Sequence, residues 1–131
     1  MIKKKILDPN RIRRIDGGFS FIPHRFLFDG FLASLKQKEL LLYLFLIIAA
    51  DRNGLSYYSY DAICTLLQLN IDQYMQARNG LIEKELIAFD GTLFQVLNLP
   101  PKPIKSSTSK LTDESTPEAI AKIIKQSFKR V

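Results

Sequence analysis

The 131-residue chain has one cysteine, Cys64, and one histidine, His24. A single cysteine excludes an intramolecular disulfide and a cysteine-based zinc cluster, and a single histidine excludes a histidine-rich metal site. Long apolar runs are also lacking: the longest, Leu40 to Ala50, is well short of the roughly 18 residues that a membrane-spanning helix needs. No continuous apolar stretch of a signal peptide follows the basic start. We therefore expect a soluble, cytoplasmic protein that has no metal or cofactor and does not enter a membrane.

The residue patterns of catalysis are missing as well. The serines and aspartates do not stand in a nucleophile elbow, a phosphate-binding loop or a pair of carboxylates. His24 has no evident partner that would make a nucleophile and base pair. We expect no catalytic residues and no enzyme activity.

What the chain does have is ordinary apolar content and an uneven distribution of charge. Apolar residues make up 47% of it, which is typical of a folded domain. The formal net charge of +6 divides into +4 for residues 1–35, −2 for residues 36–100 and +4 for residues 101–131. The basic character that would attract nucleic acid is therefore at the two ends, and the middle is mildly acidic.

The pattern predicts four regions. Residues 1–18 form a basic N-terminal arm, residues 19–100 a folded domain, residues 101–117 a flexible linker, and residues 118–131 an amphipathic basic helix. Within the first two regions, Asp16-Gly17-Gly18 is predicted to join two short strands, the second being Phe19 to Ile22. A short helix or helical turn should follow over residues 24–33 and close near Gly30.

A capping box of Ser34 and Gln37 is predicted to start the first long helix, which runs to about Ala50. This helix is apolar on every side from Leu40 onward, so another element must cover its outer face. The phenylalanine-rich segment Phe19 to Phe31 is one candidate for that cover, and a second subunit is the alternative.

The rest of the domain alternates short strands and helices. Ser59 is expected to cap the second helix and Asp72 the third, and Glu85 stands where a helix-ending glycine would be usual. The predicted elements are a strand at Leu55–Tyr57, helices at Tyr60–Leu67 and Asp72–Lys84, a tight turn at Leu69–Ile71, and strands at Leu86–Phe89 and Leu93–Leu97 around the turn Asp90-Gly91-Thr92.

This order resembles the winged helix-turn-helix domains of bacterial transcription regulators and of phage and plasmid replication initiators, or replisome organisers. The matching stretches are Glu39–Leu44 in the first helix, Ser59–Ile63 opening the second, Leu69–Ile71 at the turn and Leu81–Ile87 before the wing. The resemblance covers Leu35 to Leu97, about half of the chain, and implies an α+β fold with a three-helix core and a small antiparallel sheet.

The resemblance also implies that the third helix contacts double-stranded DNA in the major groove. Helical periodicity places Ile71, Tyr74, Met75, Leu81 and Ile82 on an inner side and predicts that Gln73, Gln76, Gly80 and Lys84 face the groove. Arg78 lies within the apolar arc. It is expected either to pair with a carboxylate such as Asp61 or to extend past its aliphatic neighbours to a phosphate.

The predicted third helix and wing carry few cations, so DNA affinity would depend on the arms. Arg11, Arg13 and Arg14, with Lys3, Lys4 and Lys5, are expected to contact phosphates or enter a minor groove. The alternative is a protein-interaction module that forms an oligomer through its apolar first helix and recruits a protein partner through the C-terminal helix.

Overall fold

A computed structural model of the chain describes residues 2–105. The predicted helix at residues 118–131 and most of the predicted linker lie outside these residues. The described elements, in chain order, are a 3-10 turn at Pro9–Arg11, α1 (Arg25–Phe28), α2 (Phe31–Ser34), α3 (Gln37–Ala49), β1 (Leu55–Ser56), α4 (Tyr60–Leu67), α5 (Ile71–Glu83), β2 (Ile87–Phe89) and β3 (Phe94–Val96). None of the described helices is long and apolar enough to cross a bilayer.

The three strands form one antiparallel sheet in the order β1-β3-β2. Leu55 lies opposite Gln95 on one side of β3, and Ala88 lies opposite Gln95 on the other. Gly54 precedes β1 with a φ of 84° and lies so close to β3 that a side chain there would meet the Val96 carbonyl oxygen at 2.6 Å. The three strands predicted after residue 54 and the Asp90-Gly91-Thr92 turn are therefore confirmed, and the fold is an α+β winged helix-turn-helix.

The core lies between α3, α5 and the sheet. Leu42 and Leu46 of α3, Leu81 of α5 and Phe94 of β3 are fully buried. Because these side chains come from three separate elements, they fix the position of α5 relative to α3 and the sheet.

The outer face of α3 is not covered as the sequence predicts. Ile48 is 74% exposed, and Leu41 on the same helix is exposed as well. Phe26 and Phe31 are buried in the core, whereas Phe19 and Phe21 remain exposed. Within the segment Phe19 to Phe31, the buried phenylalanines are in the second half and lie on the inner side of α3. The outer side of the helix, which the segment was predicted to cover, stays exposed.

The predicted N-terminal hairpin is wrong, because the described residues before Arg25 contain no strand. Without a sheet edge to accept their backbone hydrogen bonds, two short segments cannot form a stable ribbon. The short helix predicted over residues 24–33 and closing near Gly30 is confirmed as α1, and Gly30, with a φ of 91°, separates it from α2, which begins at Phe31.

Two helix starts differ from the predictions by two residues. Helix α3 begins after Lys36, whose amide donates to Glu39 Oε1 at 2.9 Å, and Ser34 belongs to the preceding helix, where its hydroxyl donates to the Phe31 carbonyl. Asn70, rather than Asp72, caps α5. Asn70 and Gln73 have the spacing of a capping box, so this start follows from a local pattern that competes with the predicted one at Asp72.

Candidate nucleic-acid interface

Helices α4 and α5 and the turn between them form the helix-turn-helix unit. The Ser59 hydroxyl accepts from the Ala62 amide and starts α4 as predicted. Gln68 ends it with a left-handed φ of 56°. The Asn70 side chain then accepts from the Gln73 amide at 2.8 Å, and the Gln73 side chain accepts from the Asn70 amide at 3.0 Å. This reciprocal capping box fixes the angle at which the chain enters α5.

The inner face of α5 is not the one that periodicity predicts. Tyr74 and Leu81 are buried as expected, and Ala77 is buried with them. Ile71, Met75 and Ile82, which were expected to be inside, are exposed. Relative to the prediction, the helix is rotated about its axis so that the side with Gly80 and Lys84 faces the core.

Lys84 follows α5 and is 4% exposed, so the prediction that it faces the groove is wrong. Its ammonium group donates to the Glu39 carboxylate of α3 and, at 2.9 Å, to the Ser34 carbonyl oxygen. A buried charge needs a partner and further hydrogen bonds, and these two acceptors provide them. Lys84 joins the end of α5 to the start of α3 and has no free charge for DNA.

Gly80 is also wrongly predicted to face the groove. A Cβ atom on Gly80 would overlap the carboxylate of Glu39. The missing side chain makes room for the Glu39–Lys84 pair, so this glycine serves packing between α3 and α5.

The two glutamines have different positions. Gln76 is exposed, in agreement with the prediction. Gln73 is half-buried and its side-chain oxygen is occupied by the Asn70 amide. Gln76 therefore remains available to a base edge, whereas Gln73 has a structural role.

The exposed face of α5 differs in charge from a typical DNA-reading surface. Its polar members besides Gln76 are Asp72, Asn79 and Glu83, and its apolar members are Ile71, Met75 and Ile82. The structure describes all of α5, and the helix has no exposed cation. Amide side chains there can recognise base edges, but this face cannot neutralise phosphates.

Arg78 is held against two aromatic rings. Its guanidinium lies 5.5 Å from the ring centre of Tyr74 and 5.1 Å from that of Phe89, within the range of a cation–π interaction. It also donates to the Asn79 side-chain oxygen. Arg78 does not pair with Asp61, nor with any other carboxylate of the described residues, so the expected ion pair is absent there.

Arg78 lies in a cleft between the wing and the start of α4. The cleft has a volume of about 470 Å³, and its walls include Tyr57, Tyr60 and Thr92.

Asp90 at the wing accepts from the amides of Thr92 and Leu93. These hydrogen bonds lower the pKa of the Asp90 carboxyl group because they stabilise its ionised form.

The N-terminal arm carries the exposed positive charge. The exposed cations of the arm are Lys3, Lys4, Lys5, Arg11, Arg13 and Arg14.

Arg13 also lines a second groove of about 860 Å³, which includes Tyr43 of α3 and Leu99. Burial raises the pKa of Tyr43 to about 12, so its hydroxyl stays protonated at neutral pH and adds no charge to this groove.

Metal binding receives no support from the described residues, which contain no group of three or more His, Cys, Asp or Glu side chains arranged to hold an ion. Periodicity places Arg78 within the apolar arc, and the structure adds that it shares a cleft with Tyr57, Tyr58, Tyr60 and Tyr74. The run Tyr57-Tyr58-Ser59-Tyr60 is a sequence signal for this cleft, but the approach of Arg78 from α5 is visible only in the structure.

Comparison with known proteins supports the helix-turn-helix assignment. Residues 33–87 match a family model described as "Helix-turn-helix domain". No curated protein and no solved structure is significantly similar to the chain. Helix-turn-helix units commonly place their second helix in the DNA major groove, so the match points to DNA binding. Residues 33–87 are a helix-turn-helix domain, and the antiparallel sheet formed by β1, β2 and β3 makes it a winged one.

Proposed function

We propose that this protein binds double-stranded DNA as a transcription regulator or a replication initiator, without catalysis. The observation that carries the proposal is the helix-turn-helix domain at residues 33–87, in which α5 leaves Gln76 and Asn79 exposed. Amide side chains can form paired hydrogen bonds with adenine in the major groove. This supports α5 as the element that reads sequence.

The affinity for DNA has to come from another part of the molecule. Since α5 exposes two carboxylates and no cation, bringing it near phosphates is electrostatically unfavourable unless other groups compensate. The N-terminal arm provides six exposed cations, including Arg11, Arg13 and Arg14. We assign phosphate contacts to this arm and base contacts to α5.

The test replaces the six arm cations by glutamine in the full chain. Binding to mixed-sequence duplex DNA is measured by fluorescence anisotropy from 50 to 300 mM salt. Because each phosphate contact contributes about −0.9 to the slope of log affinity against log salt, the slope should become shallower by up to about five. The affinity at the lowest salt should fall by about 100-fold or more.

A matched control removes two exposed cations outside the arm, Lys38 and Lys102, in the double variant K38Q/K102Q. Its salt slope should stay close to that of the wild-type protein. Unchanged affinity and slope in the six-site variant would overturn the assignment of phosphate contacts to the arm. Absence of duplex binding by the wild-type chain would overturn the proposed function itself.

A second candidate function is protein interaction, and the apolar side chains on α5 favour it. Ile71, Met75 and Ile82 lie on one side of the helix and are exposed, and Leu66 of α4 is exposed as well. Exposed apolar groups in a row are typical of protein contact surfaces. Light scattering distinguishes the two functions: a stable oligomer without duplex affinity, which dissociates in the variant I71S/I82S, would support this alternative. The role assigned to residues 118–131 in recruiting a partner stays a prediction.

A further inference from the structure

The cleft between the wing and α4 is unusually rich in tyrosine. The chain has five tyrosines, and four of them line this cleft: Tyr57, Tyr58, Tyr60 and Tyr74. The cleft volume of about 470 Å³ is within the range of clefts that hold small ligands, about 300 to 1,000 Å³. The cleft is therefore large enough for one nucleotide.

The two most exposed of these tyrosine rings are available for stacking. Tyr57 is 71% exposed and Tyr60 is 51% exposed. Tyr58 packs edge-on against Phe45 at 5.2 Å, and Tyr74 is buried. The cleft thus combines two fixed aromatic walls with two accessible rings.

Arg78 adds a positive charge to the same cleft. The rings of Tyr74 and Phe89 restrict its guanidinium, so it loses less conformational freedom when it binds an anion than a free arginine would. Its hydrogen bonds in the structure go to the neutral Asn79 side chain, which leaves its charge uncompensated by a carboxylate of the described residues. A guanidinium in this state matches the paired oxygens of a phosphate.

We propose that this cleft binds an unpaired nucleotide of single-stranded DNA, with the base stacked on Tyr57 or Tyr60 and the phosphate bound by Arg78. Stacking on aromatic side chains requires a base whose face is free, which is the case in a single strand and not inside a duplex. The inference rests on the proposed DNA binding and adds a preference for DNA in which a duplex meets a single-stranded tail.

The experiment compares four probes: a duplex of about twelve base pairs, the same duplex with a tail of about six thymidines on the 5′ end, the same with the tail on the 3′ end, and oligothymidylate alone. Anisotropy gives the affinities. The chain contains no tryptophan, so its intrinsic fluorescence comes mainly from the tyrosines in the cleft. Base stacking should quench this emission when a tailed probe or oligothymidylate binds, and less so with the plain duplex.

The variants separate stacking from other effects. The double variant Y57S/Y60S should bind the tailed duplex and oligothymidylate about 10-fold more weakly or worse, with little change for the plain duplex. Y57F/Y60F keeps both rings and should retain the preference for the tail. The control F19S/F21S removes two side chains that are 69% and 77% exposed and do not line this cleft, and it should behave as wild type. Circular dichroism verifies that each variant is folded.

Each outcome decides between alternatives. Equal losses on plain and tailed duplexes would overturn the inference and assign the tyrosine hydroxyls to the duplex backbone. Equal affinity of the wild type for plain and tailed duplexes would also overturn it and would leave the proposed duplex binding intact. Binding to oligothymidylate without binding to the duplex would instead remove the proposed function and keep the cleft as a single-strand site.

Discussion

The two sides of α5 differ in what their polar residues do. On the inner side, Gly80 and the following Lys84 surround the carboxylate of Glu39 and are enclosed by protein. On the outer side, Asp72 and Glu83 are exposed around Gln76. The lysine that the sequence offers as a DNA contact is therefore an internal structural residue, and the exposed charges are negative.

In the proposed function, the shape and the charge used for DNA binding lie in separate parts of the protein. The folded domain would supply the helix that enters a groove, and the arm would supply the cations. Affinity and base selection should therefore respond to different substitutions.

The largest effect is expected at the buried ion pair. K84M leaves the Glu39 carboxylate buried without its partner, which should reduce the free energy of unfolding by about 3–5 kcal/mol. Urea denaturation measures this change. The double variant E39L/K84M removes both charges and should recover most of the loss. A reduction below about 1 kcal/mol in K84M would show that Glu39 is not effectively buried.

The two glutamines should give opposite results. Q76A should weaken binding to a preferred DNA sequence by about 10-fold and leave stability unchanged, because it removes an exposed amide that can contact adenine. Q73A should cost about 1 kcal/mol of stability by breaking the capping box and leave DNA affinity unchanged. Equal losses of affinity for the preferred sequence in both variants would contradict the different roles of Gln76 and Gln73.

Substitution of Gly80 tests the packing beneath the helix. G80A should reduce stability by about 1–2 kcal/mol, since Glu39 must move away from Lys84 to make room for the methyl group. In the E39A background the space is open, so the same substitution should instead stabilise α5 by up to about 1 kcal/mol through helix propensity. A double-mutant cycle by urea denaturation measures the coupling between residues 39 and 80. Additive effects of the two substitutions would contradict the contact.

The smallest effect is expected from the exposed carboxylates. D72N/E83Q removes two negative charges from the outer side and should raise duplex affinity about threefold at low salt. The gain should disappear above roughly 300 mM salt because exposed charges are screened. Anisotropy titrations at the two salt concentrations check this prediction. A gain that persists at high salt would indicate a direct contact instead of a field effect.

Local patterns were sufficient to predict most of the fold. Ser59 followed by an apolar helical pattern located α4, and Asp90-Gly91-Thr92 between two apolar runs located the wing. The unusual position of Glu85 was also visible in the sequence, and the residue has a left-handed φ of 57°. These features depend on residues only a few positions apart, which is why the sequence reveals them.

The candidate site was harder to predict because it depends on distant residues. The inner side of α5 packs against distant residues, including Glu39, which lies 45 positions before Lys84. Periodicity within α5 alone cannot reveal such partners. Periodicity predicts core positions for Ile71, Met75 and Ile82, which are exposed, and does not predict the buried position of Ala77. Gln76 was placed correctly because its position is exposed in either orientation.

In the proposed function, the ion pair beneath α5 also limits how the protein could be redirected to a new DNA sequence. Libraries that alter specificity should vary Asp72, Gln76, Asn79 and Glu83, which are exposed, and keep Gly80 and Lys84 constant. A complete helix taken from another helix-turn-helix protein would clash with the Glu39 carboxylate wherever it carries a residue other than glycine at position 80. The part of α5 that can be exchanged is therefore the row of four exposed side chains. The rest of the helix has to be kept, because it packs against this domain.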